Sequence, residues 1–347
     1  MCFLKIFNKL KGRPGKEAII KERGGDEDRG KESSRNDTGK AVAENKQQGK
    51  MMNPVTKEEP KEEEADQIDN GEEVAAFTTK SIKIVPCNCQ DLGARKRQED
   101  AFAFSDLSDS ALVENKGLLA VVADGMGGLA RGDLASQVAV GIFLREHGNK
   151  NPGDSFEHFL RRTVTIANYA VFDLGLDDNG NAPPGTTLVA VVIYRDQLHW
   201  VAAGDSQIFI YRDNRLRQLN REHIYANQLQ IDVNQGLISR KEAENHPERG
   251  YLTSYLGLPE LHELDISEEP EVLQPGDSVL LCSDGLTNTL TEEEISETLD
   301  EESGNIAEAL VNKALEKEKR YQDNITVLLL KCENYSVNQK GDEENEK

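Results

Sequence analysis

Ala120-Val121-Val122-Ala123-Asp124-Gly125-Met126-Gly127-Gly128 is a short, β-leaning apolar run that reaches one carboxylate and passes at once into glycine. Such a run lifts a carboxylate to the end of a rigid strand. The glycines then let the backbone pass close to something small, a metal ion or a phosphate. The same letters also fit a buried strand ending in an ordinary Asp-Gly turn. The device recurs along the chain. Ser278-Val279-Leu280-Leu281-Cys282-Ser283-Asp284-Gly285 is a second apolar run into Asp-Gly, and Asp323-Asn324 stands directly before Ile325-Thr326-Val327-Leu328-Leu329-Leu330. Arg95-Lys96-Arg97-Gln98-Glu99-Asp100 sets two carboxylates before Ala101-Phe102-Ala103-Phe104. Read alone, that last stretch is equally a surface salt-bridge cluster. Four acidic sites at strand ends, far apart in sequence, are what an oxygen-ligand centre for a hard divalent cation requires.

Strand patterns fall near 82–87, 101–105, 118–123, 187–194, 198–203, 207–212, 278–283 and 325–331. Asp196-Gln197 is a tight connection and Asp213-Asn214 ends the next strand, so the centre reads as an antiparallel meander. Helical periodicity covers Ala130–Glu146, with Leu134, Val138, Ile142 and Phe143 as its apolar face, then Ser155–Leu174 and Asn305–Glu318. Thr291 with Glu294 is a capping box that opens a fourth helix. Strands clustered between helices without strict alternation indicate an α+β fold, with helices covering sheets.

The 347 residues carry a net charge of −22. Residues 77–333 hold 24 basic and 42 acidic side chains, so the acidity belongs to the part expected to fold. That sign argues against nucleic acid as a partner, because phosphate backbones need cationic neutralisation. It also requires a bound cation and a local arginine at any phosphate site. Residues 1–76 are rich in Glu, Lys, Asp, Gly, Asn and Gln, with no aromatic between Phe7 and Phe77. They are expected to be a disordered extension, as is the acidic tail 334–347, which leaves 77–333 as the folded domain. Within residues 1–12, Phe3, Leu4, Ile6, Phe7 and Leu10 share one helical face. That segment is either a weak membrane or partner contact or a start without a role. Five irregularly spaced cysteines favour reduced thiols, and no apolar run approaches 18 residues. A cytoplasmic protein is expected.

The ordered motifs resemble the metal-dependent protein serine/threonine phosphatases, the protein phosphatase 2C (PPM) family, in its bacterial form. The resemblance rests on Gly93-x-Arg95-x-x-x-Glu99-Asp100, Asp124-Gly125-Met126-Gly127-Gly128, Gly185-Thr186-Thr187, Ala203-Gly204-Asp205-Ser206, Ser283-Asp284-Gly285-Leu286 and Asp323-Asn324-Ile325-Thr326, in the family's order. It implies a four-layer α-β-β-α sandwich, two antiparallel sheets face to face with flanking helices, and a metal cleft at the sheet ends. Two ions, Mn2+ or Mg2+, are implied, with Asp124 bridging them. Glu99 and the backbone carbonyl of Gly125 would complete one ion, Asp284 and Asp323 the other. Arg95 would hold the phosphate, and Asp100 would orient a metal-bound water from behind. The implied reaction is direct attack of the bridging hydroxide on the phosphorus of phosphoserine or phosphothreonine in proteins. A partner serine/threonine kinase is among the implied substrates, and a monomer is expected.

Asp205-Ser206 reads as structural, and so does His223. Met126 stands where eukaryotic members tend to carry histidine. Family members often place an aspartate just before Gly-Thr-Thr for a third ion. Here that stretch is Ala182-Pro183-Pro184, with Asp177 and Asp178 further back, so a third ion lacks its usual ligand. Gly250-Tyr251-Leu252-Thr253-Ser254 lacks an arginine that bacterial members tend to show after a mobile flap, here about 218–250. Rival readings are a phosphoprotein-binding regulator on the same fold, without turnover, and another two-metal hydrolase.

Overall fold

Both faces of the run around Asp124 are buried, and that is why it reads as continuously apolar rather than alternating. The computed structural model describes residues 77–78, 82–126, 131–175, 184–301 and 304–335. The expected extension 1–76 and nearly all of the tail 334–347 lie outside the described residues, as does the stretch before Pro184. Thirteen strands are described, β1 (Phe77–Thr78), β2 (Ile82–Asp91), β3 (Asp100–Phe104), β4 (Leu118–Met126), β5 (Gly185–Thr186), β6 (Leu188–Tyr194), β7 (Gln197–Ala203), β8 (Gln207–Arg212), β9 (Arg215–Gln218), β10 (Asp265–Ile266), β11 (Glu271–Val272), β12 (Ser278–Cys282) and β13 (Ile325–Asn334). Described helices are α1 (Ser110–Lys116), α2 (Gly132–Gly148), α3 (Phe156–Phe172), α4 (Tyr225–Asn234), α5 (Arg240–Glu244), α6 (Asp284–Thr287), α7 (Glu292–Leu299) and α8 (Ile306–Leu315).

One sheet runs β1-β2-β13-β12-β8-β9 and the other β10-β7-β6-β4-β3, and every pairing in both is antiparallel. They pack face to face. Period-two geometry splits each strand between two cores. Leu118, Ala120 and Val122 of β4 meet Val279 and Leu281 of β12 and Leu328 and Leu330 of β13 between the sheets. Leu119, Val121 and Ala123 point the other way, onto Ala135, Ala139 and Phe143 of α2 and Phe159, Leu160 and Val164 of α3. Leu280, Cys282, Val327 and Leu329 face Ile306, Leu310 and Val311 of α8 and Ile295 of α7. Three apolar layers alternate with four layers of backbone. Each fully buried Leu or Val contributes about 1.5–3 kcal/mol.

Several local expectations are met. Asn305 and Ser155 cap their helices, and Thr291 with Glu294 forms the capping box that opens α7. Others need correction. In α2 the buried face is Ala135, Ser136, Ala139, Val140, Ile142 and Phe143, while Leu134 and Val138 are only partly buried. Small residues let that helix lie close on the sheet, which outweighs the larger apolar side chains beside them. The central strands are not one meander. Tyr194 pairs with Gln197 in a hairpin of one sheet, and Arg212 pairs with Arg215 in a hairpin of the other. Arg195, Asp213 and Asn214 adopt the positive φ that such tight turns demand. Between the hairpins, Gly204-Asp205-Ser206 carries the chain from one sheet to the other.

The run into Asp124 does not stop there either. β4 continues to Met126, exchanging its partner β6 for β5, where Gly125 pairs with Thr186. After β12 the chain turns directly into α6, with Asp284 its first residue. A Cβ on Gly285 would lie 1.9 Å from the Asn324 carbonyl oxygen, so only glycine lets this turn press against the entry to β13. Gly285→Ala is therefore expected to cost about 2–4 kcal/mol by forcing the two segments apart. Thermal unfolding of the full chain checks this, and an unchanged Tm would show that the close approach carries no weight.

Candidate metal centre

Five carboxylates from five separate segments meet at one end of the sandwich. Asp124 comes from β4, Glu99 from the residue before β3, Asp284 from the start of α6, Asp323 from two residues before β13, and Asp205 from the sheet-to-sheet crossover. With Arg95, Lys96, Arg97, Gly125, Met126, Thr187, Leu252 and Asn324 they line a cleft of about 530 Å³. Six of the seven residues singled out from sequence line it together. The seventh, Asp100, sits behind.

Backbone approach sets the geometry. A Cβ on Gly125 would fall 2.2 Å from the Gly132 carbonyl and 2.5 Å from that of Glu99. Gly125 N–H donates to the Glu99 carbonyl at 3.1 Å, tying the β4 end to the β3 entry. Asp124 is held through its main chain: Thr186 Oγ1 and the Thr187 N–H both donate to its carbonyl at 2.8 Å, and its own N–H donates to Thr187 Oγ1 at 3.1 Å. Its carboxylate is thereby left to the cleft. Ser206 is buried and shares a 2.6 Å hydrogen bond with Thr187 Oγ1, so its role is structural, as expected. His223 is also buried, its Nδ1 accepting from the Gly204 N–H at 3.1 Å.

Two residues lace the sheets together beneath the cleft. Asp100 is 6% exposed and pairs in register with Asp124. Its Oδ2 accepts from Ser283 Oγ at 2.8 Å and Thr326 Oγ1 at 2.7 Å, both on the opposite sheet's segments. Asn324 Nδ2 donates to the Leu92 and Arg97 carbonyls at 2.9 and 3.1 Å, and its Oδ1 accepts from the Glu99 N–H at 2.8 Å. Asn324, Ser283 and Thr326 stand inside the motifs but carry no role that their own segments show. Their hydroxyls and amide beside the acidic positions were the signal, but which chains they bridge is a tertiary matter. Asp205 is a correction of another kind. Read as structural, it instead faces the cleft, because the crossover aims it there while Ser206 turns inward.

Burial and mutual repulsion disfavour the ionised cluster. Asp124 is held well above the usual carboxylate range by burial and then by the charges of Asp100 and Asp284. Burial, with the Asp284 charge second, pushes Asp205 up to about 7. Burial takes Asp100 to about 6 against the lowering effect of the Thr326 and Ser283 hydrogen bonds. Glu99 and Asp284 are raised too, first by burial. Arg95 is joined directly to the cluster, its Nη2 donating to Asp323 Oδ2 at 2.5 Å, and the Arg97 charge acts on Glu99 from further off. As they stand, no three of the described His, Cys, Asp or Glu side chains close on one point, Asp323 being turned to Arg95. The donor set nevertheless fits a hard divalent cation. All its ligating atoms are oxygens, and the buried Asp284 Oδ1 and Asp100 Oδ1 lack any hydrogen-bond partner.

The chain matches the family model for protein phosphatase 2C over residues 93–318. It is 34% identical over 231 residues to the serine/threonine phosphatase Stp of Listeria monocytogenes, covering 64% of this chain and 86% of that one. It is 32% identical over 225 residues to the serine/threonine protein phosphatase PstP of Mycobacterium tuberculosis, covering 64% and 41%. The fold is similar to that of the Streptococcus agalactiae serine/threonine phosphatase, with a TM-score of 0.61, 27% identity and 72% and 99% coverage. It is also similar to the catalytic domain of PstP solved with two manganese ions, at TM-score 0.57, 27% identity, and 73% and 99% coverage.

Raised carboxyls retain protons that an unfolded chain releases above about pH 4. The stability they contribute is full below that pH and is lost as the pH climbs through about 6 and 7, the values for Asp100 and Asp205. In chelator, Tm is expected to fall by several degrees between about pH 5.5 and about pH 8. Asp205→Asn should flatten that slope, and Mn2+ should restore the loss. Calorimetry checks this, and a flat profile in chelator would contradict it.

Proposed function

The chain belongs to the protein phosphatase 2C family and is a protein serine/threonine phosphatase, and from that premise we propose that its acidic cleft hydrolyses phosphoserine and phosphothreonine in proteins directly, without a phosphoenzyme. The observation that carries this reading is the cleft itself. Five carboxylates crowd about 530 Å³, beside an arginine fork and with no serine, cysteine or histidine among the described lining residues. Carboxylates so placed serve an electrophile's counter-ions better than they serve a nucleophile.

In this reading Asp124, Glu99, the Gly125 carbonyl, Asp284 and Asp323 would hold two divalent cations. Mn2+ or Mg2+ suits such oxygen ligands, and the two-manganese structure of a relative favours manganese as the first ion to try. When bound, two such ions supply Lewis-acid stabilisation of phosphoryl charge and a water made acidic enough to act as nucleophile near neutral pH.

The chain's own residues do the rest. Arg95 sits 54% exposed at the mouth, its guanidinium resting on Asp323. A phosphomonoester offers that planar fork two oxygens in place of one carboxylate, so substrate would draw Arg95 off Asp323 and be oriented by it. Asp100 fixes the register of β3 against β12 and β13 and keeps one oxygen aimed inward. Met126 and Leu252 contribute apolar surface to the walls, which limits water around the reacting group. The catalytic domain of this proposal is 77–333. Substrates are phosphorylated proteins, a serine/threonine kinase among them. The described cysteines are free, which suits a reducing, cytoplasmic setting, and no helix among the described residues is long and apolar enough to cross a membrane.

Phosphate release from a phosphothreonine peptide by the full chain tests the proposal. Turnover is expected with Mn2+, none with chelator, and a loss of about a hundredfold or more in Asp284→Asn with its Tm preserved. Arg95→Ala is expected to raise KM about tenfold while leaving the Mn2+ requirement unchanged. A folded, manganese-loaded protein that releases no phosphate would overturn the reading.

A further inference from the structure

The cleft mouth carries three consecutive cations, and only the first of them is paired. Arg95 holds Asp323. Lys96 and Arg97 line the same cleft and are exposed, and among the described residues neither has a carboxylate within ion-pair reach. Residues 77–333 carry 42 acidic side chains against 24 basic ones, so partners are plentiful. Some cations elsewhere take them: Arg212 takes Asp277 and Glu271, Arg217 takes Glu271, and Lys317 takes Glu294. What sets Lys96 and Arg97 apart is their place: both line the cleft meant for an anion, and Arg97 feels the Glu99 carboxylate only at longer range than an ion pair.

Their backbone is fixed although their side chains are not. Asn324 Nδ2 grips the Arg97 carbonyl at 3.1 Å and the Leu92 carbonyl at 2.9 Å. The Ala94 N–H donates to the Gln322 carbonyl at 2.9 Å, and Gln98 Nε2 to the Asp91 carbonyl at 3.1 Å. The loop is thus clamped at both ends to the segment that bears Asp323. Two long cationic side chains on a rigid base reach over the mouth without competing for the reacting phosphoryl group, which Arg95 serves. On the wall formed by the segment after α5, Leu252 offers no charge. A bound phosphopeptide would meet positive charge along one side only.

We propose that Lys96 and Arg97 form a flanking subsite that favours phosphopeptides with a further anion beside the scissile residue. The chemistry they select is a side-chain anion one or a few residues away. It can be a carboxylate of Asp or Glu or a second phosphoryl group. The subsite rests on the phosphatase reading above and deepens it, naming the substrate class of that cleft. It also accounts for how an acidic domain accepts acidic substrates: the approach lies over a cationic edge of the mouth.

The test uses the full chain with Mn2+ and one phosphothreonine peptide in three versions, flanked by alanines, by aspartates, or by phosphoserine. In wild type, kcat/KM for the anion-flanked peptides is expected to exceed that for the alanine version by about fivefold at low salt, a size typical of two exposed charge pairs. The advantage should shrink at high salt. Lys96→Ser with Arg97→Ser should bring the ratio to one, and the charge-keeping exchange Lys96→Arg with Arg97→Lys should preserve it. A gain confined to the aspartate arm or to the phosphoserine arm supports the subsite and identifies its anion. Equal kcat/KM for all three peptides in wild type, or a ratio that survives the double serine variant, overturns it. Anisotropy with non-hydrolysable phosphonate versions of the peptides reads the same ratio without turnover. A preserved binding preference with no phosphate release would sink the phosphatase reading and leave the subsite standing, whereas equal binding would sink the subsite.

Discussion

Like charges held together out of water are the constraint on which this molecule turns. Asp124, Asp205 and Asp284 are half-buried carboxylates whose proton affinity is raised first by loss of water and then by neighbouring charge, that of Asp284 on Asp124 and Asp205 and that of Asp323 on Asp284, and Glu99 completes the ring around the cleft. Nothing local would gather them. They are kept in place because each is attached to an element that the three apolar cores position independently. The cores supply the free energy that the repulsion costs.

The sandwich suits that task for a geometric reason. Strands buried on both faces cannot shift by one residue without exchanging their two sets of apolar side chains. In β4 that exchange would bring Leu119 and Val121 between the sheets and turn Asp124 away from the cleft. The register of the cores and the register of the ligands are therefore one quantity. Asp100 fastens it again across the sheets, through hydroxyls at Ser283 and Thr326. Gly125 and Gly285 allow the backbones to come close enough for these short polar side chains to reach.

Much of this was legible along the chain. Apolar runs marked the strands, the capping box of Thr291 with Glu294 marked a helix start, and the ordered Asp-Gly and Asp-Asn motifs marked the cleft. Less legible were features whose signal is shared between segments. Leu134 and Val138 looked like the face of α2, yet the sheet accepts the alanines because they permit closer packing. Asp205 looked like a turn residue, and it is one, but the turn happens to cross from sheet to sheet at the cleft. The extent of β4 past Asp124 depended on β5, a strand of two residues with too little pattern to read.

The sequence by itself determined the α+β class and the chemical character of the site, because apolar periodicity and hard oxygen donors at strand ends are properties of single segments, while the family was legible only as the resemblance of its ordered motifs. Only the tertiary structure decided which hairpin enters which sheet, that Asp205 joins the cleft, that Asp323 lies against Arg95, and that Lys96 and Arg97 line the mouth. Those outcomes depend on distances between residues far apart in the chain. No local pattern encodes such distances, and packing of the whole molecule is what sets them.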